Sequence, residues 1–183
     1  AKITHEPLGE SIPIIKKEDI EESLAIATSL DVFPNEFRID YKCPEYCANG
    51  KYLRERIFIG AKGTVTQMHQ DLFENLYTMV KGSKQLILFS PNDSVYPYSR
   101  FSKLPNHAQT DPENLNYEEF PKMKEAQPYV VHLKAGETLY LPSFWWHHVK
   151  NLENSISLSF WWAYGWKLPI VWAAVQYKNL MGI

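Results

Sequence analysis

The sequence predicts a mainly β domain, a barrel or sandwich of short strands with a helix at each end. Three observations lead there. Aromatic residues make up 14% and apolar residues 45% of the chain against 22% charged, a composition that packs a core and is rich in the side chains that fit a pleated sheet. Apolar runs of strand length, punctuated by Gly, Pro and Asn, follow one another through residues 56–164. Helical spacing is confined to the two ends. A chain of 183 residues suits one domain with a substantial core. Residues 1–183 are therefore read as one unit: an N-terminal helix and irregular lead-in over 1–55, a barrel core over 56–164 and a C-terminal helix over 167–183.

In "KKEDIEESLAIATSL", residues 16–30, Ile20, Leu24, Ala27 and Leu30 recur near helical spacing behind acidic residues that suit a helix start. A helix is expected there. Prolines and Gly50 make the next stretch irregular until a strand near 56–59. "LFENLYTMV", "KGS" and "KQLILF" then read as a hairpin with a glycine in a three-residue connection. Nearly forty polar, proline-rich residues follow, from Ser90 to Tyr129, and a loop of that length is expected to cover a functional mouth. "VVHLKAG", "ETLYLP", "WWHHVKNL" and "SISLSFWWAYG" resume as strands. The tail "LPIVWAAVQYKNLMGI" has proline near its start and glycine near its end, as helices do. Ile170, Val171, Trp172, Ala174 and Val175 make that helix apolar around much of its circumference, which predicts a homodimer contact.

A formal net charge of −2 gives no general pull toward polyanions. No apolar span of membrane length occurs, and the first residues lack the order of a secretory signal, so a cytoplasmic or nuclear protein without a membrane partner is expected. Cys43 and Cys47 lack a second ligand pair at zinc spacing and read as reduced thiols with no assigned role.

Chemistry enters at "TVTQMHQDLFENLYTMV". On a regular strand His69, Asp71, Phe73, Asn75, Tyr77 and Met79 share one face, presenting imidazole, carboxylate and carboxamide ahead of an apolar run, as at the mouth of a barrel. An H-x-D pair alone is a weak signal. A second element arrives with Gly136, Pro142, His147 and Asn151, whose spacing complements the earlier Gly63, His69, Asp71 and Glu74. These two blocks resemble the paired motifs of the cupin superfamily. The stretch from about Phe58 to Trp162 resembles more closely the JmjC-domain 2-oxoglutarate oxygenases, in particular the small protein-hydroxylase group that includes the asparaginyl hydroxylase inhibiting hypoxia-inducible factor.

The resemblance implies a double-stranded β-helix (jelly-roll) fold. It also implies that His69, Asp71 and His147 hold Fe(II) as a facial triad, leaving positions open for 2-oxoglutarate and O2 as cosubstrates. Lys84, fifteen residues after His69, stands in the family's position for the lysine that binds the far carboxylate of 2-oxoglutarate. Thr66, Asn75 and Ser159 match further cosubstrate-contact positions. Thr66 has the wrong strand parity to share a face with His69, so its role requires a bulge. Tyr41 and Tyr52 are the candidates for a family tyrosine on an early strand. The pattern W-H-x-V selects His147 over His148, which is expected to point outward or pack locally, and Glu74 reads as an outer-face or loop-contacting residue. The pairs Trp145–Trp146 and Trp161–Trp162 should split between the two faces and pack in cores rather than form a cage. His5, His107 and His132 read as structural.

The activity so implied is that of an Fe(II)- and 2-oxoglutarate-dependent dioxygenase acting on protein side chains. An N-methyl-lysine demethylase or a tRNA-base hydroxylase is the alternative within the family, and the mild acidity of the chain weighs only lightly against a nucleic-acid substrate. A metal-binding cupin without oxygenase activity is the reading of another class.

Overall fold

A computed structural model describes residues 2–4, 24–33, 41–48, 51–99, 101–170 and 173. Ten strands are described: β1 (Lys2–Thr4), β2 (Leu24–Ser29), β3 (Lys51–Gly60), β4 (Val65–Gln70), β5 (Glu74–Lys81), β6 (Ser83–Phe89), β7 (Tyr129–Lys134), β8 (Thr138–Leu141), β9 (Trp146–Asn151) and β10 (Ser155–Ala163). A short helix α1 (Glu45–Ala48) precedes β3. The strands form a six-stranded sheet in the order β1-β2-β3-β10-β5-β8 and a four-stranded sheet in the order β4-β9-β6-β7. All pairings are antiparallel except β1 with β2. This is the jelly-roll arrangement expected from the resemblance. Among the described residues, no helix is long and apolar enough to cross a membrane.

Two expectations are corrected. The helix expected over residues 16–30 is not formed in its described part: Leu24–Ser29 is strand β2, registered against β3 from Ala25↔Gly60 to Ser29↔Arg56, and Leu30–Val32 is a 3-10 turn. Residues 16–23 lie outside the described residues. An open edge on β3 offers a full ladder of backbone hydrogen bonds, and Ile26 and Thr28 are β-branched residues that suit it, so tertiary pairing overrides the local helical spacing. The expected hairpin is also absent. β5 is flanked by β10 and β8, and β6 by β9 and β7, so the link between them steps from one sheet to the other. Gly82 makes that step at φ 73°, where an added Cβ would meet the Asn154 carbonyl oxygen at 2.5 Å. Only glycine suits both constraints.

Between the sheets Tyr77, Met79, Leu86, Leu88, Leu133, Leu141 and Val149 form the interior core. On the outer side of the large sheet Leu158, Phe160 and Trp162 of β10 pack with Leu30 and Cys47. The alternate residues Ser155, Ser157 and Ser159 are buried on the opposite, inner face. The segment 90–128 has a core of its own, in which Val95, Ala108 and Met123 pack on Met68, Phe89 and Trp146. Burial at about 1.5–3 kcal/mol per large apolar side chain fixes this segment against β4 and β9 rather than leaving it loose. At the C-terminal end residues 168–170 and 173 are helical, and the rest of the expected helix lies outside the described residues.

Candidate metal centre and adjoining cavity

β4 ends at Gln70 and β5 starts at Glu74, so the run from His69 to Met79 is not one continuous strand. His69 comes from the small sheet, Asp71 from the link, and Asn75, Tyr77 and Met79 from the large sheet. The bend still delivers one result that strand parity anticipated: His69, Asp71 and Asn75 border the same space. The third partner comes from β9, where His147 is registered directly opposite His69. One ligand-type atom from each of His69, Asp71 and His147 lies within 4.8 Å of the others, and these side chains could hold a metal ion.

The local chemistry prepares both imidazoles for that task. His69 Nδ1 lies 2.8 Å from the carbonyl oxygen of Gln67, and His147 Nδ1 lies 3.0 Å from that of Trp145. A carbonyl only accepts, so each Nδ1 carries the proton and each Nε2 keeps its lone pair. His147 Nε2 is 3.8 Å from Asp71 Oδ2, too far for a hydrogen bond and right for two ligands facing one ion. Two turns carry or lead into the candidate ligands, and they are tied together. Phe144 N–H donates to the Asp71 carbonyl at 2.7 Å, and Glu74 accepts from Ser143 N–H and from the Ser143 and Tyr140 hydroxyls. Lys167 completes the knot through Glu74 and Ser143.

Glu74 faces away from the ligands, as its parity requires, and does contact the 142–145 turn. As an outer-face residue it is nevertheless buried, at 4% exposure. Burial raises its carboxyl pKa, but the hydrogen bonds from Lys167, Tyr140 and Ser143 more than offset this and hold it below the ordinary glutamate value.

Behind the triad lies a cavity of ≈130 Å³ bordered by Thr66, His69, Asp71, Asn75, Lys84, His147 and Ser159, every site residue singled out from the sequence. A water position takes about 10–15 Å³ on this measure, so a five-carbon ligand has room. Thr66 reaches the cavity through a register shift between Thr66 and His69, the bulge its parity demanded. Lys84 is registered on Asn151 while Leu88, four positions on, is registered on His147. About 13 Å of strand therefore separates the lysine from the triad level, a span for its side chain and a dicarboxylate end to end.

Lys84 is 4% exposed, and its Nζ donates to the Tyr77 hydroxyl at 2.7 Å and the Ser157 hydroxyl at 2.9 Å. Among the described residues no carboxylate lies within ion-pair range of it. A buried ammonium held, among the described residues, by hydroxyls has the charge to attract an anion. Asn75 Oδ1, Ser159 Oγ and Trp161 Nε1 are likewise buried without partners, and all three residues border the cavity. Unsatisfied polar atoms converging on one space call for a polar ligand there.

Three functional contacts were not read from the sequence. Tyr77 supplies the phenol beside Lys84. Tyr41 instead donates to Glu55 and packs on Phe160, away from the cavity, and the side chain of Tyr52 lies outside the described residues. Ser157, the second hydroxyl on Lys84, could have been found by counting alternate positions along β10. His107, expected to be structural, bridges to His69 through the backbone and stacks on its ring at 5.4 Å. His5 lies outside the described residues, and His132 meets Gln85 near the surface. His148 is buried beneath the 90–128 segment, and burial pushes its pKa down. The tryptophan pairs split as expected, although Trp161 borders the cavity and stacks on Phe73 at 5.9 Å instead of filling a core. Cys43 and Cys47 are free thiols, with burial pushing Cys47 up to about 12.

A family profile described as a cupin-like domain matches residues 9–165. Among curated proteins the chain is 39% identical over 133 residues to Lysine-specific demethylase JMJ30 of Arabidopsis thaliana, covering 70% of this chain and 31% of that protein. It is 33% identical over 134 residues to Lysine-specific demethylase 8 of Xenopus tropicalis, covering 70% of this chain and 30% of the relative. It is 28% identical over 123 residues to the tRNA wybutosine-synthesizing protein 5 of Homo sapiens, covering 67% and 38%. The chain thus spans about a third of the length of these relatives.

Proposed function

The chain belongs to the cupin-like JmjC family, and from that premise we propose that it is an Fe(II)- and 2-oxoglutarate-dependent dioxygenase that hydroxylates protein side chains. One observation carries the reading: a buried Lys84 ammonium, with no carboxylate in ion-pair range among the described residues, shares a cavity with a His-Asp-His cluster. A cupin that only bound metal would have no use for such a cation.

Each residue then has a task. The Nδ1 bonds of His69 and His147 to backbone carbonyls aim both Nε2 lone pairs at one point, and Asp71 adds a carboxylate beside them. Lys84, oriented by Tyr77 and Ser157, takes the far carboxylate of the cosubstrate by a charge-assisted hydrogen bond. Asn75, Thr66 and Ser159 offer polar contacts along its length, and Leu86, Leu141 and Val149 exclude water from the walls. Bound Fe(II) with 2-oxoglutarate would supply the oxidising power: one atom of O2 would enter a substrate C–H bond and the other the new carboxylate of succinate, while the cosubstrate's own C1 carboxylate would leave as CO2.

The names of the relatives support a second reading, oxidation of an N-methyl group or of a tRNA base. A cosubstrate-turnover screen decides among them: peptide, methylated-peptide and tRNA pools are incubated with the Fe(II)-loaded chain and read by mass. Gain of one oxygen on unmodified peptide is expected. Loss of a methylene from methylated peptide, or oxygen gain on tRNA alone, would replace the hydroxylase reading.

A homodimer through the C-terminal segment is proposed alongside this, on the apolar sequence run of Ile170, Val171, Trp172, Ala174 and Val175.

A further inference from the structure

On the sheet face that borders the cavity, toward its triad end, a cation has no carboxylate in ion-pair range among the described residues. The register of β10 on β3 pairs Ser155 with Gly60, Ser157 with Phe58 and Ser159 with Arg56. Gly60, Phe58 and Ser159 border the cavity, and directly opposed residues project from the same face of a sheet. Arg56 therefore lies on the cavity face, displaced from Lys84 toward the metal centre.

One contact and one charge effect agree with that placement. The Arg56 guanidinium carbon is 5.8 Å from the ring centroid of Trp161, which borders the cavity. The Asp71 carboxylate acts on the Arg56 pKa in the opposite sense to burial, raising it.

Arg56 is half-buried and poorly satisfied. Nη2 makes one long hydrogen bond, 3.4 Å to the Ala27 carbonyl, and Nε is buried with none. Among the described residues no carboxylate lies within ion-pair range. Burial, and then the neighbouring Arg54, lower its pKa. The one nearby carboxylate, Asp71, is committed to the triad. A half-buried guanidinium without a carboxylate, on the sheet face that borders the cavity, has donors left that suit an anion in fork geometry.

Resting on the dioxygenase reading, we propose that Arg56 clamps a carboxylate of the substrate, so that the site takes acidic peptide segments. A polyanionic backbone fits less well. Such a ligand needs several cations in a row, while the adjoining groove under the 98–114 segment carries Asp111 and Glu113. The Trp161 face, steadied by Phe73, supports the planar fork from the side.

The test is binding to the chain loaded with Mn(II) and 2-oxoglutarate. Randomised peptide pools of equal length carry fixed Asp/Glu, Ser/Gln or Lys/Arg residues, and a single-stranded RNA pool is added as a fourth arm. The acidic pool is expected to bind at least about tenfold better than the neutral one, the range for a hydrogen bond to a charged group. Arg56→Gln should abolish that preference and Arg56→Glu should move it to the basic pool. The wild-type ranking decides by itself: no acidic preference, or a preference for RNA, overturns the proposal, as does an acidic preference unchanged in Arg56→Gln. The visible band of the Fe(II)–2-oxoglutarate chelate, recorded on the same proteins, reports failure of the dioxygenase reading separately, since loss of peptide ranking with the band intact indicts Arg56 alone.

Discussion

Replacing Lys84 with methionine should pull stability and binding in opposite directions. The ammonium is 4% exposed and held by two hydroxyls, and the Ser157 hydroxyl also donates to Tyr77 at 2.9 Å. Removing the ammonium therefore leaves those hydroxyls paired, while a long apolar side chain fills the same volume beside Phe58. Relief of a buried charge without a counter-ion is worth about 1–2 kcal/mol net of the lost hydrogen bonds, and at about 2–4 °C per kcal/mol the thermal midpoint should rise by about 2–8 °C. Against this, a carboxylate loses charge-assisted hydrogen bonds worth about 2–4 kcal/mol, which is roughly 30- to 900-fold in Kd. Differential scanning fluorimetry with and without 2-oxoglutarate, in the presence of Mn(II), reads both quantities. The wild-type midpoint should climb with added 2-oxoglutarate and the Lys84→Met midpoint should not. A variant that binds 2-oxoglutarate within threefold of wild type, or is destabilised without ligand, would refute the assignment of Lys84 as an anion site.

The other predictions concern the scaffold. Glu74→Gln leaves the buried Lys167 ammonium without its charge partner and should cost about 3–5 kcal/mol in urea unfolding, with the Glu74→Gln, Lys167→Met double variant recovering much of the loss. Because the Glu74 carboxyl is held below its ordinary value, its stabilisation is complete above the unfolded glutamate pKa of about 4.3 and is lost as pH falls through the lower native value. Urea midpoints between pH 3 and 7 should accordingly fall on the acid side in wild type and flatten in Glu74→Gln. Gly60→Ala puts a Cβ against the Asn151 amide, which is itself buried and bonded to Thr64 and Ser155. Overpacking of this kind should cost about 1–3 kcal/mol, and wild-type stability in that variant would show that the pocket relaxes freely. Truncation before Pro169 should convert a dimer to a monomer in light scattering, and an unchanged mass would remove the C-terminal helix from the contact.

Strand identity was largely legible because period-two alternation and turn residues are local signals. β6, β7 and β9 fall where their apolar runs predicted. Which sheet a strand joins is not local: nothing in "LFENLYTMVKGSKQLILF" says that the glycine turn crosses between sheets. β2 was hidden for the same reason, since the open β3 edge that captures Ala25–Ser29 lies some thirty residues away in sequence. The cavity residues were found through the family resemblance that the motifs around His69, Asp71, Lys84 and His147 carry, and the register sets His69, His147 and Lys84 as levels along adjacent strands. Ser157, Arg56 and the contact of Tyr77 with Lys84 escaped notice because a tyrosine, a serine or an arginine on a strand has many ordinary uses. Their significance appears only when the β10 register brings them to one face. Glu74 escaped for the opposite reason: parity correctly turned it away from the ligands, but the lysine that buries it lies ninety-three residues on.

The central claim is that one site holds both a metal ion and a 2-oxo dicarboxylate. Anaerobic titration of the Fe(II)-loaded chain with 2-oxoglutarate tests it directly. A weak visible charge-transfer band should grow to saturation at one equivalent per chain and be absent from Asp71→Ala. Fe(II) that binds the chain but gives no such band at saturating 2-oxoglutarate would contradict the account and leave a metal-binding cupin of another kind.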